Sequence, residues 1–451
     1  MTLTYIVFAA LLLSLFSCAW LFSSRYYAFL WPEAHAAGHS VSWLILVLSL
    51  ASRIVMFQRR EDSAALLNVG LSVQNSVQIV LTLVGLVWAA NLIVRHRVRA
   101  SDLLAGPAFW MSILVFVYAL SSFWSLWPAL TIYRATELAV FWVLSIHIFA
   151  NRNWIEHFER MLWVIIGLHW INGIVTGANT FLDGNIVSAI HDNAGSEVAA
   201  TGVIFSVFRI TLENCRRNWA KLFVSALSLV VFGSLSSTAA LVCALVVFIA
   251  YYSLSSNRAL TAILLCTAGV MVVCQLALMF LGDVSDLLSS GVVSAGATLN
   301  KTPAMLANWT GRLPLWAAVW DSTKGTLWGD GFAAAERLFA LNHPSFGWQA
   351  RHSHNGYIAA WMGAGWIGFL LVLFLFGSVW VRSKRLLFSI RVFVTSALVL
   401  FAINNLTLPT IGGTFNQMFA LMMGLTCISR IWAIEGFRTD VSEPPAQSNR
   451  S

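Results

Sequence analysis

Stretches of about 18–22 apolar residues recur along nearly the whole chain, each long enough to cross the hydrocarbon core of a bilayer as a helix. That recurrence constrains the fold more than any motif does. The segments run over residues 3–22, 41–57, 75–94, 104–121, 132–150, 161–178, 196–212, 219–234, 236–253, 259–281, 355–378, 386–406 and 412–430. Composition agrees: 59% of the 451 residues are hydrophobic and only 10% charged, against roughly a quarter charged in soluble domains. The sequence therefore specifies an all-α polytopic membrane protein of about 12–13 transmembrane helices. The first apolar stretch has no basic residues before it and no small-residue cleavage site, so it reads as a retained span and not a signal peptide. Six cysteines lie almost entirely within apolar segments without C-x-x-C spacing, which suggests neither a disulfide framework nor a zinc site.

Sidedness follows from the basic residues. Lys and Arg collect in "RHRVR" (95–99), "NRNW" (151–154), "CRRNWAK" (215–221), "SSNR" (255–258), "VRSKR" (381–385) and the tail from Arg430. Cytoplasmic short loops carry such an excess, and these six segments agree with strict alternation of the spans between them. The net charge of +8 is thus a matter of topology and implies no nucleic-acid partner. The loops at 122–131, 179–195, 282–354 and 407–411 face the other side. The chain divides into N-terminal membrane helices (1–104), a transmembrane core (105–281), a long extracytoplasmic loop (282–354), C-terminal helices (355–430) and a cytoplasmic tail without regular structure (431–451).

The loop at 282–354 is the only long one, and loops of that length are functional or disordered. This one reads as a folded cap with short amphipathic helices. In "TGRLPLWAAVWDSTKGTLWGDGF" (310–332), a helix starts near Leu313, with Thr310 as N-cap and Pro314 in the first turn. Leu315 and Val319, and Trp316 and Trp320, recur at i, i+4. At its far end the loop delivers "RHSHNG" to the mouth of the next span.

These segments resemble the O-antigen ligase and polymerase superfamily. The resemblance rests on Thr310, Gly311, Arg312, Leu315 and Trp316, on Gly329, Gly331 and Phe332 of "GDGF", and on His352, His354, Asn355, Gly356, Tyr357, Gly363, Gly365 and Gly368 of "HSHNGYIAAWMGAGWIG". Upstream, "SSFWSLWPALTIYRA" (121–135), "HDNAGSEVAATG" (191–202) and "GSLSSTA" (233–239) resemble its exopolysaccharide-polymerase branch. The resemblance implies a GT-C-like, metal-independent glycosyltransferase in the bacterial inner membrane, with no cofactor and its active site facing the periplasm. Such an enzyme moves a glycan from undecaprenyl diphosphate to a sugar hydroxyl on an acceptor glycan (polymerase) or on lipid A-core (ligase). Its partners would be those substrates, the bilayer, and a chain-length regulator or flippase of the same pathway. Many relatives carry a basic residue where this chain has Thr238, so a second phosphate-binding cation would come from elsewhere, from Arg351 or Arg134.

The chemistry points to the same residues. A departing diphosphate needs positive charge, and the extracytoplasmic loops hold no D-x-D pair, only Asp283 and Asp286 three apart. Arginine grips phosphate oxygens bidentately and stays charged near a membrane. Arg312 and Arg351, each beside a helix N-terminus, are the candidate cations. His354 is the candidate general base, with His352, Asn355, Arg134, His191 and Asn193 as further substrate contacts; Asn355 either orients the imidazole or caps the helix. Structural alternatives stand beside these assignments. A metal site at His352, His354 and His343 is one. Arg312 capping a surface helix is another, and so is lipid snorkelling by Arg53, Arg134 and Arg209. "GAGWIG" (363–368) reads as small-residue helix packing, and His147 and His169 as histidines satisfied by neighbouring helices. A transporter or flippase is the competing function class; it would show internal repeats or broken helices with charge at mid-membrane.

Overall fold

The computed structural model describes residues 39–55, 73–149, 153–181, 193–253, 312–323, 326–343 and 353–434. These are helical throughout apart from short turns. In chain order the elements are α1 His39–Ile54, α2 Val73–Val94, α3 Ala100–Leu104, α4 Pro107–Leu120, α5 Pro128–Phe149, α6 Trp154–Phe181, α7 Asn193–Leu212, α8 Arg216–Phe232 and α9 Leu235–Ser253. Then come two cap helices, α10 Arg312–Thr323 and α11 Ala334–Asn342, followed by α12 Gly356–Ser383, α13 Phe388–Asn404 and α14 Gln417–Ile434. Four of them (α2, α5, α7 and α12) are long and apolar enough to cross a membrane, and five shorter apolar helices accompany them. Eleven of the thirteen expected spans fall on helices; those at 3–22 and 259–281 lie outside the described residues.

The centre of the bundle is aromatic. Phe393 of α13 stacks on Phe208 of α7 at 4.9 Å and on Trp154 of α6 at 6.4 Å, while Phe158 and Phe205 meet it edge-on. Offset and edge-to-face pairs each add about 0.5–1.5 kcal/mol beyond area burial. α7 is sheathed on every side by α8, α13, α9 and α6. Its polar residues are consequently buried, Glu197 among them.

Three expectations about arginines are corrected. Arg53 does not snorkel: it ion-pairs with Glu137 of α5 and donates to the Phe415 carbonyl. Arg134 also binds Glu137, at 3.0 Å. Arg209 pairs with Glu159 of α6, which also holds Lys221. The carboxylate lies on a neighbouring helix for Arg53 and Arg209 and one turn along the same helix for Arg134, and within a low-dielectric bundle a charge takes the nearest opposite charge. His147 is satisfied by a neighbouring helix as expected, its Nδ1 lying 2.9 Å from Ser42 Oγ.

The largest departure is in α12, which is broken at Ala364 and Gly365. "GAGWIG" is a gap, and the cap fills it. Asp330 and Gly331 donate their backbone N–H groups to the carbonyls of Met362 and Gly363, at 2.8 and 3.1 Å, and Trp366 N–H donates to the Leu327 carbonyl at 3.1 Å. A broken helix leaves backbone groups that lipid cannot satisfy; here the loop 327–331 supplies the partners. Gly365 has φ +63, and a Cβ there would collide with the Leu327 carbonyl; one at Gly329 would lie 2.5 Å from the Met362 carbonyl.

Gly365→Ala is expected to destabilise the protein by at least about 2 kcal/mol, from left-handed strain and the collision together. The full-length protein in detergent should melt earlier, and protease should cut the cap faster. Unchanged melting would contradict the seated loop.

Candidate functional site

The segment "SSFWSLWP" and the cap loop meet beside the break in α12. Ser121 Oγ accepts from Phe332 N–H at 2.9 Å, and Thr131 Oγ1 donates to the Phe332 carbonyl at 2.9 Å. Trp124 Nε1 donates to the Trp328 carbonyl, and the Tyr118 and Phe332 rings stack at 4.0 Å. "GDGF", "SSFWSLWP" and "GAGWIG" are thus one joint. Their glycines and small hydroxyls let three backbones approach. Asp330, half-buried in that joint, has its carboxyl pushed above the usual range by burial.

From this joint the cap helices project over the start of α12. Leu315 and Val319 of α10 pack with Ala335, Phe339 and Ala340 of α11 and with Met362 of α12. Trp316 Nε1 donates to the Ser353 carbonyl at 2.8 Å. Glu336 of α11, itself buried, accepts from both the backbone N–H and the hydroxyl of Ser353, each at 3.0 Å. The residue before the candidate base is therefore clamped by both cap helices. His354 follows with φ +50, a conformation uncommon in residues other than glycine. Asn355 then caps α12, its side-chain oxygen accepting from Tyr357 N–H at 2.9 Å and Ile358 N–H at 3.1 Å. Of the two alternatives for Asn355, capping is the one its side-chain oxygen serves.

Arg312 opens α10, one turn before Trp316 and on the same face as it. Burial pulls its guanidinium below the ordinary arginine value, and the Glu197 carboxylate of α7 opposes that shift. Asn193, the first residue of α7, lies one turn before Glu197. The cap thus brings the starts of α7, α10 and α12 to one end of the bundle, with Arg312, Glu197 and the His354 segment there. Arg134 sits on α5 beside Glu137 and Gln78, with Nη1–Oε distances of 3.0 and 3.4 Å. Arg351, His352 and His191 lie outside the described residues. Thr238 is buried and donates its hydroxyl to the Ser234 carbonyl, which leaves no cation on that turn. The His343 ring stacks on Phe339 at 4.2 Å, and its Nδ1 donates to the Phe339 carbonyl at 3.1 Å.

Four acidic and basic residues here were not singled out from the sequence: Glu137, Glu197, Glu336 and Arg337. For Glu137 and Glu197 a signal existed, since a carboxylate inside an apolar span marks function or a buried partner. Glu336 and Arg337 sit in an ordinary-looking short helix, and nothing local distinguishes them.

Glu137 neutralises two arginines from inside the bundle. Glu137→Gln leaves both cations uncompensated and is expected to cost about 3 kcal/mol, read as a lower detergent or urea midpoint. An unchanged midpoint would show that the arginines have another partner.

Residues 222–373, from α8 into α12, match the family model described as O-antigen ligase. The matched stretch contains the cap and the start of α12, but not the contributing segments at 121–135 and 191–202. No curated protein matches the chain. Over that stretch, within a helical membrane bundle, the chain is similar to the O-antigen ligase family, which supports the resemblance to the O-antigen ligase and polymerase superfamily.

Proposed function

We propose that the protein is a metal-independent glycosyltransferase of the bacterial inner membrane. It takes a glycan from undecaprenyl diphosphate on the periplasmic side and passes it to a sugar hydroxyl. The preferred activity is polymerisation of an exopolysaccharide or O-antigen, close to the exopolysaccharide-polymerase branch; ligation to lipid A-core is the second form. The O-antigen ligase domain supports glycan transfer as the activity. The observation that carries the site is the clamp on Ser353 by Trp316 and Glu336, which ties Arg312's helix to the His354 segment.

In the proposed reaction the acceptor oxygen attacks the anomeric carbon, and its proton passes to His354. The C–O bond to the diphosphate breaks, with the electron pair leaving on the phosphate oxygen. Arg312, with Arg351, holds that developing charge. Glu197 supplies a countercharge to Arg312. Arg134, His352, His191 and Asn193 lie on the segments that would meet the glycan, and Asn355 fixes the helix that carries the base.

A transporter is the reading that the broken α12 would favour. The break, however, is closed by the protein's own loop 327–331, which takes up the carbonyls of Met362 and Gly363 and the N–H of Trp366.

His354→Ala in purified full-length protein is expected to slow glycan transfer from a lipid diphosphate by about 100-fold or more, with unchanged melting and with the wild type insensitive to EDTA. Full transfer by the variant would remove His354 from the mechanism, and loss of wild-type transfer in EDTA would contradict the metal-free reaction.

A further inference from the structure

The start of α12 is held from two directions, and only one of them is the cap. The first four N–H groups of a helix find no partner within it. In α12, Asn355 N–H turns back to the Ser353 hydroxyl at 3.4 Å, and Tyr357 and Ile358 donate to the Asn355 side chain. The remaining donor, Gly356 N–H, goes to the backbone carbonyl of Asn405 at 2.7 Å. Asn405 opens the turn between α13 and α14, and its own side chain shapes that turn. Its Oδ1 accepts from the Thr410 hydroxyl and from Ile411 N–H, both at 2.7 Å, and all three residues are buried. Pro409 has no N–H to give, so the amide oxygen closes a turn that backbone pairing leaves open. The two chains touch without side chains between them. A Cβ on Gly356 would collide with Asn405 Oδ1 and the Ile411 carbonyl, and one on Gly412, at φ +111, with the Gly356 carbonyl. The far side of the turn is fixed as well: Tyr118 of α4 donates to the Gly412 carbonyl at 3.0 Å, and Arg53 to the Phe415 carbonyl at 2.9 Å.

His354 lies between these two supports. Ser353 before it is held by Trp316 and Glu336 of the cap, and Gly356 after it by Asn405. Only His354, at φ +50, and Asn355 separate the fixed points. A segment that short with both ends held keeps its unusual backbone conformation because its surroundings over-determine it. We propose that Asn405 is a positioning residue for His354: its side chain folds the α13–α14 turn into a socket for Gly356, and the socket sets where the imidazole stands. What the imidazole does there rests on the transferase reading. On that reading the consequence is kinetic, since displacing a reacting group by about 1 Å can cost about 100-fold in rate. The C-terminal turn, remote in sequence from the cap, is then as much a part of the site's frame as the cap itself.

The test pairs hydrogen–deuterium exchange with steady-state transfer from a lipid-diphosphate-linked glycan, on full-length wild type, Asn405→Ala, Thr410→Val and Thr410→Ser. Thr410→Val keeps the shape of the side chain and removes one of the two donors to Asn405, so it answers the question even where Asn405→Ala fails to fold. In the peptide covering 353–358, the Gly356 amide is expected to exchange about tenfold faster in Thr410→Val, the loss of one hydrogen bond in the turn. Its kcat should fall about threefold or more with KM within about twofold, and that of Asn405→Ala about tenfold or more. Thr410→Ser, which keeps the hydroxyl, should restore both exchange and kcat. A turn that is merely structural would lower the melting midpoint and leave kcat of the folded variants unchanged; that result, or a rise in KM alone, overturns the positioning role. A Gly356 amide that stays protected in both Asn405→Ala and Thr410→Val overturns the socket itself. A wild type that transfers no glycan, with the exchange pattern as expected, overturns the transferase reading and leaves the socket standing.

Discussion

Three backbone hydrogen bonds decide where everything else sits. They join the loop 327–331 to the break in α12. A helix interrupted at the level of lipid must find partners for its free carbonyl and N–H groups, and here a segment remote from the membrane spans provides them. The docking is mutual: the loop gains a fixed register, and the helix gains a stop after two turns. Because α10 and α11 flank that loop, their registers over the start of α12 follow from it. Without the joint, neither Trp316 nor Glu336 would have reason to meet Ser353.

Charge is arranged with the same economy. Each buried carboxylate described here fixes something mobile. Glu137 holds two arginines on separate helices, Glu159 holds an arginine and a lysine at the opposite end, and Glu336 holds the turn before His354. Exposed ion pairs contribute little, whereas breaking a buried one leaves a charge in low dielectric. Conformational uniqueness at the cap end thus rests on a few acids in a chain that is only 10% charged. In the proposed mechanism the same logic serves catalysis. Cations that are positioned before substrate arrives need no reorganisation when negative charge develops on the leaving group.

The sequence disclosed the bundle readily. Hydropathy registers each span by itself, so helices such as Pro128–Phe149 were legible to within a few residues. The cap helix at Arg312–Thr323 was legible from its i, i+4 pairs. What escaped were features defined by two distant segments. "GAGWIG" carries the same small residues whether it packs against a helix or accepts a loop, and only the position of Leu327 decides between them. Arg53 and Glu137 lie 84 residues apart, so an arginine inside an apolar run read as a snorkelling side chain. His354 and Arg312 were proposed from residue chemistry and from resemblance, whereas the clamp on Ser353 beside them needed the fold.

The account depends on the cap being seated in the broken helix, and hydrogen–deuterium exchange of the full-length protein in nanodiscs tests that directly. The peptide covering 326–332 carries the amides of Asp330 and Gly331, which are bonded to α12. The account predicts that these amides exchange as slowly as those inside α12 itself. Exchange at the rate of an open loop would mean that the joint does not exist, and with it would go the clamp on Ser353 and the placement of every cation over the site.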